Sequence, residues 1–344
     1  MRFPEFSGEW EKNNLSKFSS KITKKNKGNV IQNVLCNSAN LGIIPQNDYF
    51  DRDIANADNT DSYYIIEQGD FVYNPRKSTA APYGPVNIYN GEKPGIISPL
   101  YLCFSVLNIS PSFLFYRFKS SVWHPYVYSH GDTGVRFDRV SIKDDVFFDM
   151  PIYTPTQNEQ EKIATLLSLI DERIATQNKI IEDLKKLKSA IIEKIFNEPH
   201  SNKIRLGDIG SYIRGLTYSN DDVVEQDGVF VMRSNNIING SSLDYQHNIV
   251  SVNKQILTEQ QLQDGDIIIC MANGSSSLVG KSSFYDGNCS IPITVGAFCG
   301  IYRSKEPIVK WLFQTSKYRR YIGNSLQGGN GAIANLNGDD ILRM

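Results

Sequence analysis

The sequence predicts an α+β chain in which two pseudo-repeated, mostly-β domains are separated by a long coiled-coil-type helix. Three observations predict it. The chain nearly repeats itself about 196 residues on: "QGDFVYNPRKSTAAPYGPVNIYN" aligns with "DGDIIICMANGSSSLVGKSSFYDG", so Gly69-Asp70 fall on Gly265-Asp266. "GDTGVRFDRVSIKDD" aligns with "GGNGAIANLNGDD", which sets Gly131 and Gly134 on Gly328 and Gly331, and Asp144 on Asp340. A period this long is a duplicated domain, because solenoid repeats run only ~20–50 residues. Second, from Asn158 to Phe196 there is no proline or glycine. Third, short apolar runs bounded by Gly, Pro and Asn fill both flanking regions, the pattern of strands and turns.

The elements follow in order. Residues 1–155 form the first domain, with strand-like runs such as "YYII", "DFVYN" and "LYLCFSVL". Residues 156–198 form the helix. Ile163, Leu167, Ile170, Ile174, Ile181, Leu184, Ile191 and Ile195 step by threes and fours, and Gln177 and Lys188 fill the two vacant seam positions. That is a 3.5-residue seam suited to docking another helix. Thr156 or Asn158 can cap its start, Glu159 and Glu161 favour its first turn, and Pro199 ends it. Some 40 helical residues span ~60 Å, more than one globular core needs. Residues 199–344 restart the β-rich pattern, with "KIRLGDIGSYIRG" in the place of "EKNNLSKFSSKITK". The repeat predicts a second long helix near positions ~352–392, past Met344, because "GDDILRM" parallels "KDDVFFDM" just before the first helix.

Bulk numbers allow this organisation without naming a partner. The chain has 344 residues, 40% hydrophobic and 21% charged, with a net charge of −1, an ordinary globular balance for two domains. Local charge is less even. Lys12, Lys17, Lys21, Lys24, Lys25 and Lys27 cluster against Glu11, and Arg303, Lys305, Lys310, Lys317, Arg319 and Arg320 against Glu306. Such runs suit an anionic polymer or, equally, a solvated face. The five cysteines form no CxxC pair, which argues for a reducing compartment and against disulfide staples or a zinc site. The N-terminus has no apolar signal core, and no apolar run approaches ~18 residues. A cytoplasmic protein with no membrane contact is expected.

Three stretches resemble the DNA-specificity subunits of type I restriction–modification systems: "RFPEFSGEWEKNNLSKF", "PTQNEQEKIATLLSLIDERI" and "GGNGAIANLNGDDI". The proline, Glu-Gln and Ile-Ala signature leading into the helix is the most specific of these marks. The resemblance covers the whole chain and implies that each repeated domain is a target-recognition domain reading one half of a split duplex sequence. It implies two helices in an antiparallel coiled coil that docks methyltransferase subunits. The departure is the missing second helix, which puts the internal coiled coil and one docking site in doubt. No cofactor is expected on this chain. S-adenosylmethionine would come with the methyltransferase subunits, and ATP and Mg²⁺ with the restriction subunit, an indirect partner. Two divergent readers imply an asymmetric target.

Candidate DNA contacts sit where loops follow strands. Arg suits guanine O6/N7 and Asn suits adenine N6/N7 in the major groove. The second domain offers Arg214, Arg233, Asn235 and Asn236, and then Asn273, Ser275, Ser276 and Lys281. The first offers Lys24, Lys25, Lys27, Asn37, Ser38, Asn40, Arg76, Lys77 and Arg136. Three tempting motifs fail. "NGSSSLVGKS" has five residues between Gly274 and Gly280 where a phosphate-binding loop needs four, and it leads into a strand-like run. "YNPRK" has Arg76 where an amino-methylating motif needs proline. The four histidines lack metal spacing. The chain therefore reads as a non-catalytic binder. A homodimer through residues 163–195, an inactive shortened form, and a protein- or glycan-binding adaptor remain the competing readings.

Overall fold

A computed structural model describes residues 2–49, 60–131, 138–198, 203–225, 227–238, 243–248, 250–289, 291–326 and 334–344. Arg136 lies outside the described residues. The chain forms two compact units, Met1–Gln177 and Asn178–Met344.

In the first unit the strands are β1 (Glu11–Asn14), β2 (Ser19–Lys21), β3 (Val34–Ser38), β4 (Gly42–Pro45), β5 (Tyr64–Ile66), β6 (Phe71–Tyr73), β7 (Val86–Ile88), β8 (Gly95–Ile97), β9 (Leu102–Val106) and β10 (Pro151–Thr154). A short helix, α1 (Gln46–Tyr49), follows β4, and α2 (Pro111–Lys119), α3 (His124–His130) and α4 (Asp144–Phe148) follow β9. One four-stranded sheet has the order β2-β9-β6-β7 and is antiparallel throughout. The other has the order β4-β3-β8-β5, and there β3 runs parallel to β8. Strands β6 and β9 of the first sheet are largely apolar and carry aromatic rings on one face. Phe71 stacks on Phe104 at 5.3 Å, and Tyr73 on Phe147 at 4.7 Å. Helix α2 closes this core with Phe113, Leu114 and Phe118. Its start is set by Pro111 and by Ser110, whose hydroxyl accepts the Phe113 N–H (3.3 Å), a standard N-cap.

In the second unit the strands are β11 (Gly210–Arg214), β12 (Val223–Val224), β13 (Val229–Met232), β14 (Ser251–Val252), β15 (Ile267–Cys270), β16 (Ala272–Asn273), β17 (Ser282–Phe284), β18 (Ile293–Val295), β19 (Cys299–Ser304) and β20 (Ala334–Asn335). Its sheet β11-β19-β15-β17 has the order of β2-β9-β6-β7, and β13 runs parallel to β18 as β3 does to β8. The predicted duplication is therefore a duplication of topology. The turn at its centre repeats in detail. Gly69 and Gly265 have φ of +91° and +86°, open only to glycine at little cost. Asp70 Oδ2 accepts the Glu67 N–H (2.7 Å), and Asp266 Oδ2 accepts the Gln263 N–H (2.8 Å). The outer strands differ: β5 pairs with β8, whereas among the described residues β18 has the isolated bridge Leu216–Gly296 beside it.

The long helix, α5, is continuous from Gln157 to Asn197, and the boundary between the compact units falls inside it. Two of the sequence signatures meet at its start. The Arg2 guanidinium grips the fully buried Glu159 carboxylate with Nε–Oε1 2.7 Å and Nη2–Oε2 2.6 Å. This pairing holds the Glu159 carboxyl below the usual carboxylate range. Lys162 pairs with Glu5 and lies 4.7 Å from the Phe3 ring centroid. Gln160 donates to the Pro155 carbonyl and accepts the Ser110 N–H, both at 2.9 Å. The signature residues thus anchor the helix to the first unit, and its continuation is left to solvent. Ile163 and Leu167 are half-buried, while Ile170 and Ile174 are exposed.

The part of α5 in the second unit repeats the theme. Ile192 is buried, but Ile181, Leu184, Ile191 and Ile195 are 44–57% exposed. Glu193 receives both the N–H and the hydroxyl of Ser316, at the start of a helix covering Ser316–Leu326. Lys188 sits 4.8 Å from the Trp311 ring. Among the described residues, no helix is long and apolar enough to cross a membrane.

Candidate nucleic-acid interface

Each unit builds the same loop cluster from three segments distant in sequence. The first is the loop joining β6 to β7, residues 74–85; its equivalent at the 196-residue offset, residues 270–281, starts on the last residue of β15, includes β16 and runs to β17. The two spans close in the same way. Asn74 N–H donates to the Pro85 carbonyl (3.0 Å), and Cys270 N–H to the Lys281 carbonyl (2.8 Å). Gly84 and Gly280 both have positive φ, +82° and +76°. A Cβ on Gly84 would stand 2.1 Å from the Asn74 carbonyl oxygen. No other residue fits that approach.

The second segment is the end of β3 or the turn after β13. Asn74 Nδ2 donates to the Asn37 carbonyl (3.2 Å), and Asn273 Nδ2 to Ser234 Oγ (3.4 Å). The third segment precedes α4 or α9 (Gly338–Leu342). Val140 N–H donates to the Pro75 carbonyl (2.9 Å), as Leu336 N–H does to the Met271 carbonyl (2.8 Å). Arg76 and Arg139 are partners in an antiparallel bridge, as Ala272 and Asn335 are in β16–β20. The loop closures, the Val140 and Leu336 contacts and the two bridges all keep the 196-residue offset, whereas the Asn74 and Asn273 side-chain contacts do not.

The chemistry hung on this shared frame differs. The first unit shows Asn40, Arg76, Lys77, Ser78 and Thr79 around one polar recess. Arg76 is 69% exposed, with Asp138 4.0 Å away. Burial pushes the Tyr101 hydroxyl up, and the charges of Arg139 and Arg76 pull the other way; Tyr101 and Arg139 line one recess. The second unit shows neutral groups at these places: Asn273 holds the Ser275 N–H (3.0 Å), Ser275 and Ser276 are exposed, and Asn335 is exposed.

The candidate residues sort accordingly. Asn40, Arg76 and Lys77 come together in the first unit, and Arg233, Asn235, Asn273, Ser275 and Ser276 lie on the converging loops of the second. Three candidates are buried among partners of their own. Asn37 is 5% exposed; its amide donates to the Val72 carbonyl (2.7 Å), and its Oδ1 accepts from Asn87 (2.6 Å). Asn236 is fully buried: its Oδ1 accepts the Arg233 N–H, and its amide donates to the Asp244 and His247 carbonyls. Ser38 is 6% exposed and accepts the N–H groups of Asn40 and Leu41. All three shape the loops from inside, because a buried amide must satisfy its own donors and acceptors before it serves a ligand.

Lys24, Lys25 and Lys27 are exposed in a separate place, beside β5 at the far edge of the sheet from β4. Lys24 faces Glu67 at 3.8 Å. Arg214 ends the edge strand β11, and Lys281 closes its loop half-buried. Sequence reasoning missed Arg139. The signal was available: extending the offset through residues 131–144 pairs Arg139 with Asn335 and brings both beside the loop after β6 or β15. The phosphate-loop lookalike is a turn. Residues 276–278 form one short helical turn, and the Gly280 carbonyl accepts the Tyr318 hydroxyl (2.8 Å).

Comparison with known proteins gives a consistent picture. No protein-family model matches the sequence. A stretch of 132 residues is 32% identical to the EcoKI specificity subunit of a type I restriction enzyme from Escherichia coli K12, and equally to the StySPI specificity subunit from Salmonella potsdam. It spans 36% of this chain and only 27% of each relative. Across essentially the whole chain the fold is like that of the S subunit of the type I restriction–modification system of M. genitalium, at TM-score 0.56 and 13% identity over 86% of that chain. A chain from a study of type I assembly and conformational transition is similar at TM-score 0.54, again 13% identical, over 99% of this chain and 86% of that one.

Proposed function

We propose that this chain, whose fold and partial sequence likeness are those of type I restriction–modification specificity subunits, is a non-catalytic reader of double-stranded DNA. Each unit would read one half of a two-part target. The observation that carries this is the loop cluster built twice on one frame with different side chains. A duplicated frame suits a ligand with two similar sites, and different side chains suit halves of different sequence. Lysines and arginines supply the sequence-independent attraction to phosphates, and exposed loop groups supply base contacts. The exposed seam from Ile163 to Ile195 would dock methyltransferase subunits, which carry S-adenosylmethionine. ATP and Mg²⁺ would arrive with the restriction subunit, and α5 would set the spacing between half-sites.

Binding of the full chain to duplex DNA across a salt series tests this. Affinity falling as a steep power of salt concentration is expected. Salt-insensitive or absent DNA binding would contradict it and favour a protein- or glycan-binding adaptor. The exposed seam also favours a second reading, in which the same helix of another copy covers it. Light scattering at tens of micromolar would then report a dimer, and a monodisperse monomer would exclude one.

A further inference from the structure

We propose that Arg76 and Arg139 form a guanine-reading pair that sets the half-site of the first unit apart from that of the second. This inference rests on the DNA-reading function proposed above. Arg76 and Arg139 oppose each other across an antiparallel bridge. Opposed partners stand ~5 Å apart at Cβ, and like charges placed there repel. The fold does not require the pair, since Ala272 and Asn335 fill the same bridge in the second unit. Among the described residues Arg76 pairs with the Asp138 carboxylate, whose oxygen stands 4.0 Å from Nε. Arg139 Nε is buried with no hydrogen-bond partner. Arg76 lines the recess with Asn40, Lys77, Ser78 and Thr79, Arg139 lines the adjoining one with Pro75 and Tyr101, and the bridge between the two residues sets both arginines where a group rich in acceptors could meet them.

A phosphate and a guanine edge both offer acceptors, and the repeat distinguishes them. Phosphate contact is a task common to both units, so a phosphate clamp would belong to the shared frame. The arginine pair is instead the place where identical frames diverge most in chemistry. Divergence at a fixed position is what reading two different sequences demands. Guanine O6 and N7 take the arginine fork in a bidentate pair, whereas Ala272 and Asn335 cannot make that pair.

The test is selection of binding sites from a randomised double-stranded DNA library by the full chain and its variants. In Arg76→Ala and Arg139→Ala, preference for guanine at one or two positions of one half-motif should fall roughly tenfold to a hundredfold. The other half-motif should stay unchanged and respond instead to Asn273→Ala. Arg139→Lys keeps the charge but not the fork, and should lose guanine preference while retaining the salt dependence. A uniform loss of affinity with an unchanged motif and a shallower salt slope would make the pair a phosphate clamp and overturn the proposal. Unchanged motif and affinity in all three variants would overturn it as well. If the wild-type chain enriches no motif, the DNA-reading function itself fails, and the pair falls with it.

Discussion

The two units share a frame and differ in where they place charge. At the centre of the first, Asp70 is half-buried, and burial raises its carboxyl pKa above the ordinary value. At the same turn of the second, Asp266 is gripped by Arg303 through Nε–Oδ1 2.7 Å and Nη2–Oδ2 2.6 Å. At the loop cluster the order reverses: the first unit carries Arg76 and Arg139, the second Ala272 and Asn335. Duplication therefore preserved the backbone devices, namely the positive-φ glycines, the loop closure and the strand order. Charge was redistributed between interior and surface. What a fold needs and what a ligand needs can be separated by asking which features recur.

Substitutions that treat equivalent positions alike should give unlike results. One such difference is expected at Gly84 and Gly280. Gly84→Ala drives a Cβ into backbone, so it should destabilise by more than ~2 kcal/mol. Gly280→Ala meets only the Ile322 side chain, at 2.6 Å, and should cost about 1–2 kcal/mol. Denaturant melts of the two variants check this, and equal losses would undo the distinction between backbone and side-chain crowding.

Asp266→Asn should cost about 2–3 kcal/mol, because it strands a largely buried guanidinium. Asp70→Asn should be neutral or stabilising by up to ~1 kcal/mol at pH 7, since Asn can still accept the Glu67 N–H. The sign follows from linkage. Asp70 has a folded pKa above its unfolded value, so its contribution to stability declines as pH rises through that folded pKa. Replacing it should remove that decline from the stability–pH curve. Glu159 behaves oppositely. Its folded pKa is depressed by Arg2, so its contribution is present above the unfolded value near ~4.3 and is lost as pH falls through the folded one. Arg2→Ala should abolish that acid-side loss.

The smallest stability effects are expected on the helix. Ile181→Lys and Leu184→Lys change exposed positions and should shift stability by less than ~0.5 kcal/mol. They should nonetheless abolish any association that uses the seam. A pull-down with the methyltransferase subunit that is insensitive to both changes would remove the seam from the docking account.

Much of this was legible in the sequence. The repeat was visible because its turn needs glycine and aspartate at fixed places, and the helix because its apolar steps keep one period. Asn37 and Ser38, read as following a strand, lie within β3 itself. What sequence could not show was which polar side chains face inward. Asn37 and Asn236 look like readers in a string of Asn and Ser, yet both are consumed by backbone groups up to 48 residues away. The Arg2–Glu159 latch joins two signatures separated by 157 residues. The Arg76–Arg139 bridge likewise depends on a long-range register that local patterning does not carry.

The account stands on two units reading different half-sites, and methylation mapping tests that most directly. Genomic DNA from cells co-expressing this chain with its methyltransferase subunit would be read by long-read sequencing. A two-part motif with unlike halves is predicted, with Arg76→Ala relaxing one half alone. A symmetric motif, with the same bases in both halves, would contradict it, because only one kind of reader would then be in use.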